Sequence, residues 1–118
     1  MKVESYRDLD VWQRAIEMSL ALYGITSEFP REEIYGLTSQ LRRAGVSVAS
    51  NIAEGYGRST RGEYRQFLGI ARGSNLEVQT QLVIARGLGI GGAKKIADAE
   101  KLSVDVGRML VVLMRRLL

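Results

Sequence analysis

The residues of this chain that could do chemistry are few and of limited kinds. Its 118 residues include no histidine and no cysteine, which excludes imidazole acid–base catalysis, histidine- or thiolate-bound metals and thiol nucleophiles. Two carboxylate pairs, Asp8 with Asp10 and Glu32 with Glu33, could supply oxygen ligands to a metal ion. Each pair stands at the start of a predicted helix, where N-terminal capping accounts for it. We therefore expect no enzymatic activity, no metal and no cofactor.

A stripe of arginines follows one side of the third of four predicted helices. Because an α-helix turns about 100° per residue, four arginines fall within about 60° of arc beside the apolar face. They are Arg61, Arg65, Arg72 and Arg86. Guanidinium groups in such a place suit a subunit contact or the phosphate backbone of a nucleic acid. The alternative is that their aliphatic stems cover the edges of the core.

A polar stripe runs along the second predicted helix at steps of three and four residues. It comprises Gln40, Arg43, Ser47, Asn51, Glu54 and Arg58. Serine and asparagine are poor helix formers and would be unusual choices for a helix face in water. We therefore favour a packed polar network over a recognition or ligand site, and over a merely solvated face.

The second helix also carries a second apolar arc, which lies about 120° from the centre of its core stripe. It consists of Val46, Ala49, Ala53 and Tyr56. A surface helix of a single-copy protein needs only one apolar face, so we expect another subunit to pack on this candidate oligomer face. The alternative is that the alanines favour helix formation and face water.

Four segments with helical periodicity must position these residues. They span approximately 9–28, 32–56, 60–87 and 93–117. Short turns join them, and no segment alternates like a strand. The predicted fold is all-α, an up-down-up-down antiparallel four-helix bundle in a single domain over 1–118.

Local signals predict the ends and inner faces of these helices. Asp8 or Asp10 is a plausible N-cap for the first helix, and Thr60 with Glu63 offers a capping box for the third. Glycines between Gly87 and Gly92 predict the turn before the last helix. The inner face predicted for the first helix contains Leu9, Trp12, Ile16, Ser19, Leu20 and Tyr23. That of the second contains Ile34, Leu37, Leu41, Ala44, Val48 and Ile52.

The charge of the chain is modest in total and unevenly spread. The net charge is +4, yet residues 1–37 carry four basic and seven acidic residues, whereas 38–118 carry 13 basic and six acidic residues. This asymmetry permits contact with a polyanion, or subunits that meet acidic face to basic face. In the second case, we hypothesise that an acidic first helix opposes Arg65 and Arg72 of a neighbour.

The sequence also carries expectations about location. The first residues lack the charged-then-apolar layout of a signal peptide. No apolar run approaches the roughly 18 residues of a membrane span. We therefore expect a cytoplasmic protein with no membrane partner.

Four stretches of the chain resemble a known family. They are Tyr6–Gln13, Phe29–Thr38, Gln40–Arg58 and Phe67–Ser74. Together they are similar to the "four helix bundle protein" family, and the resemblance covers about residues 6 to 90. This family includes proteins encoded in intervening sequences of bacterial large-subunit ribosomal RNA genes, and the accessory protein of diversity-generating retroelements.

The resemblance implies a bundle that assembles into a ring-like homopentamer without known catalytic activity. Its retroelement member has a basic surface, binds nucleic acid and works with a reverse transcriptase. We therefore expect a non-enzymatic oligomer that acts as an accessory or scaffold factor with weak, sequence-independent RNA or DNA binding, and whose partners could include a reverse transcriptase or another protein. The alternative is a purely structural protein–protein scaffold, because this chain is only mildly basic.

Overall fold

A computed structural model describes residues 2–118, and Met1 lies outside the described residues. This part of the chain forms four α-helices and no strand: α1 (Asp10–Thr26), α2 (Leu37–Tyr56), α3 (Arg61–Leu88) and α4 (Ala93–Arg116). Short 3-10 turns lie at Tyr6–Asp8 and Arg31–Glu33. α1 and α3 each pack against both α2 and α4, which closes a four-sided bundle. The predicted all-α, up-down-up-down four-helix bundle is confirmed.

The bundle is elongated along its helices, with principal extents of 43 × 25 × 20 Å. Between residues 2 and 118, none of the helices combines the length and the apolar character that crossing a membrane requires.

The inner face of α2 lies along the apolar stripe predicted for it from Leu37 to Ile52, and α3 and α4 bury apolar side chains at the same helical spacing. The largest fully buried side chains of these three helices are Leu41, Val48, Ile52, Leu68, Val78, Leu82, Ile96, Val106 and Leu110. Burying one such side chain contributes about 1.5–3 kcal/mol relative to leaving it in water. The core therefore runs the length of the bundle, and the polar stripes of α2 and α3 lie along its edges.

The inner face predicted for α1 is wrong. Leu20 and Tyr23 are 69% and 44% exposed, and Trp12 and Ile16 only pack against the edge of the core. The buried stripe consists instead of Val11, Ala15, Met18, Leu22 and Ile25. Both faces of α1 are apolar, so the packing of α2 and α4 decides which one becomes interior. The other face stays on the outside of the bundle.

The predicted N-caps of α1 are also wrong. Leu9 occupies the N-cap position and makes no side-chain cap. The Asp8 carboxylate accepts hydrogen bonds from the backbone N–H groups of Glu4 at 2.9 Å and Ser5 at 3.2 Å, and so belongs to the preceding 3-10 turn. Asp10 is the first residue of α1, where a carboxylate stabilises the positive end of the helix dipole.

The connection between the first two helices is longer than predicted. α1 ends at Thr26 and α2 begins only at Leu37, because a separate 3-10 turn follows Pro30. The Glu33 carboxylate accepts a hydrogen bond from the N–H of Leu37 at 3.1 Å and thereby caps α2. Ile34 consequently lies outside α2 and is 51% exposed, so it does not belong to the buried stripe.

The ends of α3 are fixed by side-chain capping and by glycine. Thr60 is the N-cap, and its hydroxyl accepts a hydrogen bond from the Glu63 N–H at 3.1 Å. After Leu88, Gly89 adopts φ +70°, the left-handed conformation that glycine tolerates best. Gly91, at φ +85°, leaves room for the Phe29 ring, since a Cβ there would lie 2.7 Å from it.

Two glycines of α2 set its distance from the neighbouring helices. A Cβ on Gly45 would lie 2.8 Å from Leu22 Cδ1 of α1, and a Cβ on Gly55 would lie 2.9 Å from Phe67 Cβ of α3. Real side chains do not approach so closely, so these glycines let both helices pack tightly against α2. The polar side chains of α2 and α3 are thereby brought within hydrogen-bonding distance.

Candidate interaction surfaces

The polar stripe of α2 faces α3, and three of its six members, Gln40, Arg43 and Ser47, bond across the seam between the two helices. The Ser47 and Ser74 hydroxyls lie 2.9 Å apart. Asn51 Nδ2 donates to the Ser47 carbonyl oxygen at 2.9 Å and to its hydroxyl at 3.0 Å. These bonds occupy the small polar groups of both helices with one another rather than leaving them aimed at solvent.

In the part of this seam near the start of α2, the polar contacts between the two helices are longer. Arg43 Nη2 lies 3.4 Å from Glu77 Oε2 in an exposed ion pair. Gln81 Nε2 donates to Gln40 Oε1 at 3.4 Å, while Gln81 Oε1 is the buried side-chain oxygen that lacks a partner among residues 2–118. An exposed ion pair such as that of Arg43 with Glu77 contributes little to stability.

The last two members of the stripe lie apart from this seam. The Glu54 side chain is exposed and forms no hydrogen bond or ion pair with the described residues. The Arg58 guanidinium stacks 4.5 Å from the centre of the Phe67 ring, an arrangement that holds a cation at a solvent-facing position.

A buried polar pair joins α3 to α4, and it was not among the residues predicted from the sequence. Asn75 Nδ2 donates to the Ser103 carbonyl oxygen at 2.8 Å, and the Ser103 hydroxyl donates to Asn75 Oδ1 at 2.8 Å. Both side chains are essentially inaccessible to solvent. The available signal was that Asn75 falls in step with Ala71 and Val78 on an apolar face, where an unpaired amide would be costly.

The four arginines of the α3 stripe face α4 or solvent, and they have different environments. Arg65 Nε donates to the Met114 carbonyl oxygen at 3.1 Å near the end of α4. Arg86 forms an ion pair with Glu100. Arg61 and Arg72 are exposed and form no ion pair among residues 2–118.

α4 adds two arginines to the same side of the bundle. A groove of about 480 Å³ runs between the two helices, and we name it the α3–α4 groove. The residues that line it include Arg72, Leu76, Val104, Arg108, Val112 and Arg115. Arg108 bonds to Asp105 of its own helix. The sequence reading omitted Arg108 and Arg115 because periodicity within one helix does not reveal which residues of another helix lie opposite.

The candidate oligomer face of α2 is divided by the structure. Ala49 is buried, whereas Val46 remains 44% exposed, and with Ala53 they line a shallow groove that also involves Trp12 of α1. Packing within the subunit therefore accounts for Ala49. The exposed part of this face continues onto the outer apolar side of α1.

Tyr56, the last residue of that predicted face, belongs to a different contact. Its ring meets Tyr64 edge to face with centroids 6.1 Å apart. Burial raises the pKa of the Tyr64 phenol above its ordinary value, and the neighbouring Tyr56 adds to the shift. Tyr56 therefore helps to hold α2 against α3 at the end of the bundle.

Two ion pairs of opposite polarity join the first part of the chain to α4. Arg14 Nη1 of α1 lies 2.9 Å from Asp105 Oδ2, and Glu28 Oε2, just after α1, lies 2.6 Å from Lys95 Nζ. These two ion pairs also fix the level of α1 relative to α4 along the bundle axis.

The end of the bundle at which α2 and α4 finish and α3 begins is rich in arginine. Arg58, Arg61 and Arg116 are all exposed there and have no carboxylate partner among residues 2–118. We name these three residues the basic end. The guanidinium groups of the basic end can bind anions.

Between residues 2 and 118, no three acidic, histidine or cysteine side chains are arranged to hold a metal ion.

Comparison with known proteins returns a family and a fold. A family model described as "23S rRNA-intervening sequence protein" matches residues 7–112. A crystal structure of a protein of unknown function, from the S23 ribosomal protein family of Bacteroides thetaiotaomicron, aligns with a TM-score of 0.77 at 20% identity, over 88% of this chain and 97% of that chain. This second likeness concerns the fold alone. No curated protein gives a significant match.

Proposed function

This chain belongs to the 23S rRNA-intervening sequence protein family, and we propose that it is a non-enzymatic, self-associating accessory protein that binds RNA or DNA weakly and without sequence preference. The family resemblance seen in the sequence is confirmed for the intervening-sequence proteins. Neither match names a retroelement protein, so a reverse transcriptase partner stays a prediction.

The observation that carries the nucleic-acid part of this proposal is the basic end. Arg58, Arg61 and Arg116 are exposed at the same end of the bundle and have no carboxylate partner among residues 2–118. Phosphate contacts made by arginine dominate sequence-independent binding. The surface offers no row of aromatic side chains on which bases could stack, so we expect backbone contacts without base recognition.

Self-association is supported by apolar side chains on the outside of the bundle. Leu20 of α1 is 69% exposed, and Val104 of α4 is 55% exposed. If the assembly is a pentamer, as the family resemblance implies, five chains of net charge +4 carry +20 in total. Repeating the basic end in a ring would raise a weak affinity by effective concentration.

A fluorescence polarisation titration with labelled single-stranded RNA and duplex DNA tests the nucleic-acid proposal. We expect binding at low ionic strength that weakens steeply with salt and is similar for unrelated sequences. The double variant Arg61→Glu, Arg116→Glu should bind at least tenfold more weakly, with a salt slope reduced by about 1 for each lost phosphate contact.

The matched control changes two cations at the opposite end of the bundle, Arg31→Glu and Lys94→Glu. It alters net charge by the same amount, so it should retain most of the affinity. Equal losses in both double variants would show that only overall charge matters. Absence of binding by the unmodified protein at low salt would refute the nucleic-acid role.

The second candidate function is a protein–protein scaffold without a nucleic-acid role. The α3–α4 groove favours it, because Leu76 and Val104 are 47% and 55% exposed between the arginines. A phosphate backbone is not stabilised by contact with these apolar side chains, whereas an amphipathic helix can bury its own apolar face against them. The same titration separates the two functions.

A further inference from the structure

The three arginines that line the α3–α4 groove, together with Arg65 beyond its end, are arranged in two tiers. Arg65 and Arg72 of α3 are seven residues apart, and so are Arg108 and Arg115 of α4. Seven residues are two helical turns, or about 10.5 Å along either axis. Each helix therefore contributes one guanidinium to each tier, provided that the two helices are in register.

The register of the two helices is fixed by hydrogen bonds. Arg65 donates to the carbonyl oxygen of Met114, which places Arg65 level with Arg115. Because α3 and α4 run antiparallel, moving seven residues along each brings Arg72 level with Arg108. The Asn75–Ser103 pair holds the same register deeper in the bundle.

Beyond the second tier, the groove becomes apolar. Leu76 follows Arg72 by one turn on α3, and Val104 precedes Arg108 by one turn on α4. They are 47% and 55% exposed. From one end to the other, the groove thus presents a basic tier, a second basic tier and an apolar patch.

The outer side of α1 carries the complementary order at the same spacing. Asp10 and Glu17 are seven residues apart, and Leu20 follows one turn later. Asp10 and Glu17 are exposed, and Leu20 is 69% exposed. We name these three residues the α1 strip. Along the direction of α3, the two acidic residues of the strip correspond to the two basic tiers of the groove. Leu20 corresponds to the apolar patch that follows them.

The α1 strip and the groove already lie at similar levels within one subunit. The ion pairs Arg14–Asp105 and Glu28–Lys95 place Asp10, Glu17 and Leu20 within about one helical turn of the levels of Arg115, Arg108 and Val104. α1 also runs parallel to α3 in this topology. A neighbouring copy related by rotation about the bundle direction therefore presents its α1 strip to the groove at the right height and with the right polarity.

We infer that the α1 strip of one copy lies in the α3–α4 groove of the next copy. Asp10 meets the tier of Arg65 and Arg115, Glu17 meets the tier of Arg72 and Arg108, and Leu20 packs on Leu76 and Val104. This inference rests on the self-association in the proposed function and names the surfaces that make it. The occupant is a second copy because charge, spacing and the position of the leucine all match this chain's own α1.

Two exposed ion pairs within the subunit must exchange partners for this contact. Glu17 lies 3.8 Å from Arg14, and Arg108 bonds to Asp105. Exposed pairs of this type contribute little to stability, so their loss does not oppose the larger contact. Arg72 and Arg115 need no such exchange, because neither forms an ion pair among residues 2–118.

Strip and groove are different surfaces of the same subunit, so the contact is heterologous. The groove opens between α3 and α4, whereas the strip lies on the side of α1 that borders α4. In an idealised square bundle these two surfaces face directions roughly at right angles. Successive copies then turn in one sense, which is the arrangement that gives a ring where the rotation between copies closes.

Light scattering coupled to size exclusion tests the inference on the full chain. We expect the unmodified protein to elute as an oligomer and the double variant Arg72→Glu, Arg115→Glu to elute at the mass of a single chain. Adding Asp10→Lys and Glu17→Lys to that variant should restore the oligomer, because each new glutamate of the groove then faces a lysine of the strip. Circular dichroism checks that every variant remains helical.

The double variant Arg61→Glu, Arg116→Glu is the matched control, since it makes the same charge change at the basic end and should keep its mass. A single-chain mass for the unmodified protein would overturn both this inference and the proposed self-association. An oligomer that survives Arg72→Glu, Arg115→Glu would overturn the inference alone. Loss of RNA binding without loss of mass in that variant would assign the groove to phosphate and would also overturn it.

Discussion

Asn75 and Ser103 are the two residues whose polarity the core depends on. Their side chains satisfy each other in a region that water does not reach, and a group left without its partner there keeps its full desolvation penalty. We expect Asn75→Ala to lower the free energy of unfolding by about 2–3 kcal/mol. Urea denaturation followed by circular dichroism measures this change.

The matched variant is Asn75→Leu combined with Ser103→Ala, which removes both polar groups and restores volume. Because no polar group is then left without a partner, the double variant should lose clearly less stability than Asn75→Ala alone. A double-mutant cycle compares Asn75→Leu, Ser103→Ala and the double variant. If the losses of the two single variants simply add up to that of the double variant, the two side chains do not depend on each other.

Single residues differed in how far the sequence revealed their roles. Helical spacing placed Ser47 and Asn51 on one stripe with Gln40 and Arg43, and this stripe faces α3. It could not separate Arg86, which is paired with Glu100, from Arg72, which has no such partner among residues 2–118. That difference depends on residues of α4, and spacing along one helix carries no information about another.

At the scale of the helix, glycine has opposite effects at two positions. Gly55 of α2 has no room for a Cβ, which would lie 2.9 Å from Phe67 Cβ, whereas a Cβ on Gly73 of α3 would meet nothing within 4 Å. Gly55→Ala should therefore cost about 1–3 kcal/mol through overpacking. Gly73→Ala should stabilise the protein by up to about 1 kcal/mol, because alanine is the better helix former.

Thermal or urea unfolding of the two alanine variants checks both signs. Each variant serves as the control for the other, since the chemical change is identical and only the surroundings differ. Destabilisation by Gly73→Ala would indicate that another molecule packs against this glycine.

The helices themselves were predictable to different degrees. α2, α3 and α4 each have one dominant apolar stripe, so periodicity identified what they bury. α1 has two, and Trp12, Leu20 and Tyr23 were assigned to the core in place of Met18 and Leu22. The late start of α2 has no local signal, because Gly36 occupies its N-cap position without a side chain, and the Glu33 carboxylate accepts the Leu37 N–H from four positions earlier.

At the scale of the whole molecule, assembly through charged tiers should respond to salt. Screening shortens the range of charge interactions from about 10 Å at 0.1 M to about 3 Å at 1 M ionic strength. We expect the mean mass from sedimentation velocity to fall as sodium chloride is raised through this range. The quadruple variant with Asp10→Lys, Glu17→Lys, Arg72→Glu and Arg115→Glu should show the same dependence. A mass that rises with salt would point to a mainly apolar contact.

The four-helix topology followed from the sequence because the turns are short and few alternatives exist for four amphipathic helices. The surfaces did not follow. The α3–α4 groove and the α1 strip each depend on the rotation of a helix about its own axis, and for α1 the sequence left that rotation ambiguous. Global architecture was therefore easier to predict than the places where a partner would bind.

The position of α1 between α2 and α4 has a consequence for synthesis of the chain. α1 leaves the ribosome before α4, yet α4 completes its packing, as the contact between Arg14 and Asp105 illustrates. Until α4 is made, the stripe from Val11 to Ile25 lacks one of the helices that cover it, and a nascent chain with uncovered apolar surface is prone to aggregate. A polypeptide terminated before Ala93 never covers that side of α1.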